Sequence, residues 1–183
     1  YKEGHPIEGK TLTQYLREHG YVTNLAGRYM HQSPYDDPYG FDHRVLGSVY
    51  IEDDAYARML ERRVPHLGGI HGLGISSNGW QARAWPVEDF LHPTHWTVTQ
   101  ARRMIDHHPD DTPLFMVTSF YSPHPPLIPP RFYMDRYLRM DLPDPAIGSW
   151  ASPPPHEGRG AGVDAHRTVL KGEALRSAQA GYF

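Results

Sequence analysis

The stretch that decides the fold is Thr112–Pro130, which reads Thr-Pro-Leu-Phe-Met-Val-Thr-Ser-Phe-Tyr-Ser-Pro-His-Pro-Pro-Leu-Ile-Pro-Pro. Its first half, Leu114–Tyr121, is an apolar, β-favouring run without the alternation of a strand that has one solvated face. We therefore expect a strand buried on both faces, as in a parallel sheet with helices on either side. The run changes abruptly into a proline-dense loop that carries His124. Because ligands of open α/β sheets bind beyond the carboxyl ends of the strands, His124 is a candidate site residue.

The chain repeats the order helix, short turn, strand and polar loop. Thr11–His19 has apolar residues at helical spacing and is followed by Gly20 as a terminating residue, and Tyr21–Ala26 then has the composition of a strand. Later, Thr97–Gln100 has the form of a capping box and predicts the start of a helix that ends before Pro109. The strand of the proline-rich stretch comes next. This repetition predicts the α/β fold class.

The remaining segments predict three more helices separated by loops. Apolar residues at helical spacing mark helices at Ile51–Leu60, at Phe132–Tyr137 and from Asp164 to the end of the chain. The segment Val64–Pro93 is rich in glycine and irregular, and Met140–Gly162 reads as a loop. The helical pattern of the last segment runs to the final residue. We therefore expect the chain to be an internal fragment of a longer protein.

Composition narrows the classes of function that are compatible with the chain. With 183 residues, one partial domain over residues 1–183 is expected. A formal net charge of −3 and 39% hydrophobic residues are atypical of a disordered tail or a basic nucleic-acid binder. No apolar run is long enough to cross a bilayer. The absence of cysteine excludes disulfides, thiolate metal sites and a cysteine nucleophile within these residues.

Cationic and proton-carrying side chains follow both predicted strands. Arg28 and His31 follow the first strand, and His124 follows the second. Arginine offers a fixed fork of donors that matches a tetrahedral oxyanion, and histidine can bind the same anion or protonate a leaving oxygen. His92 and His95 have a spacing that could share a helical face, but the pair by itself is typical of ordinary loop residues. These residues contain no nucleophile motif of a serine hydrolase, no His-Glu-x-x-His and no phosphate-binding loop.

A series of short motifs resembles the middle of a sulfatase. The family has, in this order, Gly-Tyr-x-Thr-x-x-x-Gly-Lys-x-His, Gly-Phe-Asp, Pro-Phe-Phe and Ser-x-x-x-Pro-His-x-Pro. The matching residues of this chain are Gly20-Tyr21-Val22-Thr23, Gly27-Arg28, Gly40-Phe41-Asp42, Pro113-Leu114-Phe115 and Ser122-Pro123-His124-Pro125-Pro126. The resemblance covers most of the chain. Within the alkaline-phosphatase superfamily, the chain is most similar to the arylsulfatase branch. The resemblance implies a partial sandwich of helices around a mostly parallel sheet.

The resemblance also implies the reaction: proteins of this family hydrolyse sulfuric esters with the help of calcium. Their nucleophile is a formylglycine hydrate made from Cys or Ser in a Cys/Ser-x-Pro-x-Arg motif, which this chain does not contain. The family's calcium ligands precede and follow the matching region. We therefore expect the parent protein to hold calcium through residues outside this chain, and the isolated chain to be inactive and without metal.

The resemblance assigns roles to the candidate residues. It implies that His124 contacts the sulfate or its bridging oxygen and that Arg28 stands where a sulfate-binding lysine is usual. Met30 occupies the place of the family's histidine, and His31 lies one residue later. Either the loop is shifted so that His31 binds the sulfate, or that contact is lost.

Three functions of the parent protein stay open at this point. The first is hydrolysis of a sulfate ester of a small molecule or glycan. The second is hydrolysis of a phosphonate or phosphate monoester, since tetrahedral anions differ little to an Arg and His pocket. The third is binding of sulfated glycans by a catalytically dead homologue. In each case we expect no nucleic-acid or membrane partner, and we expect exposed sheet edges to favour self-association.

Overall fold

The computed structural model describes residues 7–29, 34–35, 37–48, 51, 53–151 and 169–183. Over these residues the chain has five α-helices and three β-strands, which confirms the predicted α/β class. In chain order the elements are α1 (Leu12–Glu18), β1 (Val22–Gly27), β2 (His43–Leu46), α2 (Ala55–Arg63), α3 (Pro93–Asp106), β3 (Leu114–Ser119), α4 (Arg131–Leu138) and α5 (Gly172–Tyr182).

The chain divides into two compact units. The first consists of Tyr1–Met59 and Pro93–Tyr121, and the second consists of Leu60–His92 and Ser122–Phe183. The first unit holds the sheet and the second holds the His124 loop with α4 and α5. Within the described residues, no helix is both long enough and apolar enough to cross a membrane.

The strands form a parallel sheet in the order β2-β1-β3. Gly27 at the end of β1 is in register with Leu46 of β2 and with Ser119 of β3, so all three carboxyl ends meet at one edge. The central strand is buried from Thr23 to Gly27, whereas every residue of β3 is only half-buried. The prediction that the Leu114–Tyr121 strand is buried on both faces was therefore wrong. In the described sheet β3 is an edge strand, and neighbouring elements cover an edge less completely than the centre.

The first helix begins and ends as its sequence predicts. The side chain of Thr11 accepts a hydrogen bond from the Gln14 amide, and the Gln14 side chain accepts one from the Thr11 amide at 2.8 Å. This reciprocal capping box satisfies backbone donors that the first turn leaves without helical partners. Gly20 follows the helix at a φ of +84°, a conformation that glycine adopts without a steric penalty.

The Gly-Phe-Asp motif lies against the start of β1. The Thr23 hydroxyl donates to the Gly40 carbonyl at 2.9 Å, and the Thr23 amide donates to the Asp42 carboxylate at 2.9 Å. Arg17 of α1 also contacts this carboxylate, at 2.7 Å. Burial by itself raises the pKa of Asp42, but the hydrogen bonds from Thr23 and the charge of Arg17 outweigh it and lower the pKa. Two of the motifs that carry the family resemblance are thus joined through one carboxylate.

The predicted start of α3 at Thr97 was wrong. The helix begins at Pro93, and Thr97 lies within it as a buried residue. Proline is well suited to the first helical turn, because the amide hydrogen that it lacks would have no helical acceptor there. The side chain of Thr97 instead lies beside Gly27 at the end of β1. Tertiary packing therefore uses a hydroxyl residue that local pattern alone assigns to a cap.

The other predicted helices are confirmed with shifted ends. Helix α2 begins at Ala55 instead of near Ile51, and α4 follows Pro130 as predicted. Helix α5 begins at Gly172, and the predicted start at Asp164 lies outside the described residues. The irregular segment Val64–Pro93 contains three short 3-10 helices, at Pro65–Leu67, His71–Leu73 and Asp89–Leu91.

Candidate functional site

Arg28 lies where the sheet predicts a ligand site. It directly follows Gly27, the last residue of β1, and its amide donates to the Ser119 carbonyl at the end of β3, over 3.4 Å. Tyr121 follows β3 by two residues. The carboxyl ends of two parallel neighbours therefore bring Arg28 and Tyr121 to the same edge, the position at which open α/β sheets bind ligands.

Gly27 makes this close approach possible. Its φ is +110°, and a Cβ built on it would lie 1.9 Å from the Ser119 carbonyl oxygen. That distance is far below any van der Waals contact, and the atom it meets is backbone. Only glycine fits here without separating the strands, so Gly27 keeps Arg28 close to the end of β3.

The guanidinium of Arg28 is buried against an aromatic ring. Arg28 is 5% exposed, Tyr121 is 8% exposed, and the Arg28 Cζ lies 4.9 Å from the centre of the Tyr121 ring. Arginine keeps its charge at every physiological pH, and a buried charge is costly unless its surroundings stabilise it. The face of an aromatic ring attracts a cation at this distance. The end of β1 thus carries a fixed positive charge that suits an anionic ligand.

Tyr29 anchors the backbone on the other side of Arg28. Its hydroxyl donates to the Pro38 carbonyl at 3.0 Å, and its ring meets that of Tyr39 edge to face at 5.2 Å. Burial is the main cause that raises the pKa of Tyr29, so it stays a neutral donor at neutral pH. The other candidate of this loop, His31, lies outside the described residues, as does Met30. The shift between these two positions stays a prediction.

His124 belongs to the second unit and is exposed. Its Nδ1 lies 2.7 Å from the Pro125 carbonyl, which can only accept, so Nδ1 carries the hydrogen of this bond. Donation from Nε2 to an ester oxygen requires the imidazolium form, in which both ring nitrogens carry a hydrogen.

The segment after His124 is held by backbone contacts. The Leu127 carbonyl accepts from the Arg83 amide at 2.9 Å, and the Pro129 carbonyl accepts from the Trp85 amide at 2.8 Å. Leu127 is buried, as are the neighbouring Pro126 and Ile128. The His124 loop therefore emerges from a fixed, buried base, in agreement with the rigid loop that its prolines predict.

His92 is part of that base. Its Nε2 donates to the Ile128 carbonyl at 3.0 Å, and its ring meets Trp85 edge to face at 5.6 Å. His92 is buried and precedes α3, whereas His95 is an exposed residue of α3. The prediction that both are loop residues is therefore confirmed for His92 and wrong for His95, which lies in α3.

The resemblance places the calcium ligands of the family outside this chain, and the described residues contain no other candidate metal cluster. Among them, no three His, Asp or Glu side chains lie close enough together to hold a metal ion. Asp53 and Asp54 are adjacent, but Asp53 binds Arg58 at 2.7 Å and Asp54 accepts hydrogen bonds from backbone amides.

The carboxyl group of Asp54 has a clearly raised pKa. It is buried near the carboxyl end of β2, where it accepts hydrogen bonds from the amides of Ser48, at 2.5 Å, and Ala57, at 2.8 Å. Burial raises the pKa of Asp54 to about 6, and the hydrogen bonds from these amides and that of Tyr56 offset only part of the effect. Asp54 directly precedes α2, a position at which a carboxyl group also complements the helix dipole.

Sequence comparison identifies what this arrangement is related to. Over 188 aligned residues the chain is 30% identical to an arylsulfatase of Clostridium perfringens, and the alignment covers 94% of the chain. The chain is homologous to part of an arylsulfatase. This confirms the resemblance that the motifs predict. The chain is also 25% identical to arylsulfatase J of Mus musculus, over 136 residues that cover 72% of the chain.

The matched region is a portion of each arylsulfatase. The chain spans 39% of the length of the Clostridium protein and 22% of the length of the mouse protein. No protein-family model matches the chain.

Sequence reasoning missed Tyr121 and Tyr29 as neighbours of the predicted cation. The available signal was position, because Arg28 follows the first predicted strand within two residues and Tyr121 is the last residue of the second. Their contact depends on the register between β1 and β3, which pairs Gly27 with Ser119. No local pattern specifies that register.

Proposed function

We propose that the protein to which this chain belongs hydrolyses sulfate monoesters, and that Arg28 and His124 act on the sulfate. The homology to arylsulfatases over 94% of the chain supports the reaction class. The observation that carries the role of Arg28 is its buried guanidinium at the carboxyl end of β1. The role of His124 rests on its place in the Pro-His-Pro-Pro motif, and the Pro125 carbonyl fixes the ring by accepting a hydrogen bond from Nδ1.

The two side chains have different tasks in this proposal. Arg28 holds sulfate oxygens through its fork of N–H donors and neutralises negative charge, and it does not transfer a proton. His124, in its imidazolium form, gives the Nε2 hydrogen to the bridging oxygen of the ester as the alcohol leaves, and it becomes the neutral imidazole with its hydrogen on Nδ1. The attacking group is the formylglycine hydrate of the family, supplied by residues outside this chain. The isolated chain is therefore expected to be inactive and to hold no calcium.

The chain also presents strand edges that suit association. In the described sheet β2 and β3 each pair with β1 on one side. Unpaired strand edges favour pairing with another chain or segment. We expect the isolated chain to self-associate through them.

The proposal is tested with p-nitrophenyl sulfate and the complete protein that carries this chain. Arg28→Ala and His124→Ala are compared with His95→Ala, which changes an exposed histidine on α3 and serves as the matched control. Loss of a general acid typically costs 10²- to 10⁴-fold, and loss of one preorganised oxyanion donor typically costs 10²- to 10³-fold. We therefore expect kcat/KM to fall by about 10²-fold or more in the His124 and Arg28 variants. The control is expected to keep its activity. Unchanged turnover in both site variants would refute the proposed roles.

The same assay separates the other functions. Faster turnover of p-nitrophenyl phosphate, or of a phosphonate monoester, would assign the protein to the second class of hydrolase. Absence of turnover with all three substrates, together with binding of a sulfated glycan, would identify a catalytically dead homologue.

A further inference from the structure

We infer that Tyr121 is a positioning residue, whose ring holds the Arg28 guanidinium in the orientation that binds the anion. This inference rests on the proposed function of Arg28. The contact that carries it is the 4.9 Å distance between the Arg28 Cζ and the centre of the Tyr121 ring. Both side chains are buried, so the contact forms away from bulk solvent, where a cation–π interaction is strongest.

Arginine needs such a partner more than lysine does. Its guanidinium is planar and binds an oxyanion through parallel N–H donors, so the strength of this binding depends on the plane in which the guanidinium lies. A long side chain can rotate about several bonds. Each non-binding orientation that it can adopt lowers its affinity for the anion, because binding must then select one orientation. A ring in contact with the guanidinium removes many of those orientations.

The backbone keeps this partner in place. Gly27 pairs with Ser119, and the Arg28 amide donates to the Ser119 carbonyl, so the chain positions of Arg28 and Tyr121 are set by the same strand pair. The positioning role of Tyr121 rests on its aromatic ring and not on its hydroxyl group. Replacing tyrosine by phenylalanine is therefore expected to preserve the function, while an aliphatic residue is expected to impair it.

The test uses Tyr121→Phe and Tyr121→Leu in the complete protein. The affinity for inorganic sulfate and the kcat/KM for p-nitrophenyl sulfate are measured for each variant. We expect Tyr121→Phe to stay within about twofold of the original protein, and Tyr121→Leu to lose about 30-fold in both quantities, which matches the size of a desolvated cation–π contact. In the Arg28→Ala background, Tyr121→Leu should have no further effect on either quantity.

A second series separates positioning from folding. Phenylalanine analogues with one, two and three ring fluorines at position 121 change the ring's electron density at nearly constant shape. Sulfate affinity should fall stepwise along this series, which a purely structural role would not produce. Equal affinity across the series, or a loss in Tyr121→Phe as large as in Tyr121→Leu, would overturn the inference.

The outcomes distinguish this inference from the proposed function. If Arg28→Ala abolishes sulfate binding while the position 121 variants bind normally, Arg28 keeps its role and Tyr121 does not position it. If Arg28→Ala binds sulfate normally, the proposed role of Arg28 fails, and the inference fails with it.

Discussion

The buried carboxyl group of Asp54 makes the stability of the first unit depend on pH. Burial raises its pKa from the ordinary value of 3.8 to about 6, which corresponds to about 3 kcal/mol between the protonated and ionised forms. A group whose pKa is higher in the folded state stabilises the fold below its unfolded pKa. That contribution is lost as the pH rises through the folded pKa. We therefore expect this contribution of Asp54 to disappear between about pH 4 and pH 6.

The substitution Asp54→Asn isolates this effect, because asparagine cannot ionise. Asparagine has one acceptor oxygen and therefore loses one of the hydrogen bonds from Ser48 and Ala57, which is a cost independent of pH. The pH-dependent part is read from urea unfolding of both proteins at pH 4, 5, 6 and 7. The free energy of unfolding of Asp54→Asn should gain about 2 kcal/mol relative to the original protein across this range, because part of the full effect lies outside it.

A matched change on the surface completes the experiment. Asp53→Asn removes a carboxyl group from the neighbouring exposed position, and the difference from the original protein should vary little with pH. Carbon-13 NMR of the Asp54 carboxyl group gives its pKa directly. A midpoint near 4, or a stability difference that does not change between pH 4 and pH 7, would show that burial does not control this group.

Two further predictions concern single residues of the first unit. Gly27→Ala should lower the free energy of unfolding more than Gly20→Ala. Both residues have a positive φ, but of the two only a Cβ at position 27 would meet backbone, the Ser119 carbonyl oxygen, at 1.9 Å. Equal urea midpoints for the two variants would contradict the close approach of β1 and β3. Thr11→Ala removes the cap of α1 and should lower the free energy of unfolding by about 1 kcal/mol. Thr99→Ala, which changes a hydroxyl bonded within α3, is the control for Thr11 and should have a much smaller effect.

Features that depend on a few neighbouring residues could be predicted from the sequence. The end of α1 at Gly20 and the strand after it follow from residue types that are close in the chain, since capping and backbone freedom act over one turn. The α/β class follows from the order of these elements. The site edge was also within reach, because Arg28 and His124 each follow a predicted strand.

Features that depend on distant residues were decided by the tertiary structure. Thr97 has the local pattern of a cap, yet packing beside Gly27 places it inside α3. The apolar composition of β3 predicts a fully buried strand, but its position at the edge of the described sheet leaves it half-buried. A local pattern states what a segment can form, and it does not state which neighbours cover it.

The environment of Arg28 shows the same division. The sequence by itself determined that a cation follows β1 and that a histidine follows β3 on a proline-rich loop. Only the tertiary structure decided that the cation is buried and that Tyr121 lies over it. The physical reason is the register of two parallel strands far apart in the chain, which follows from hydrogen bonding and from the space that Gly27 leaves for Ser119.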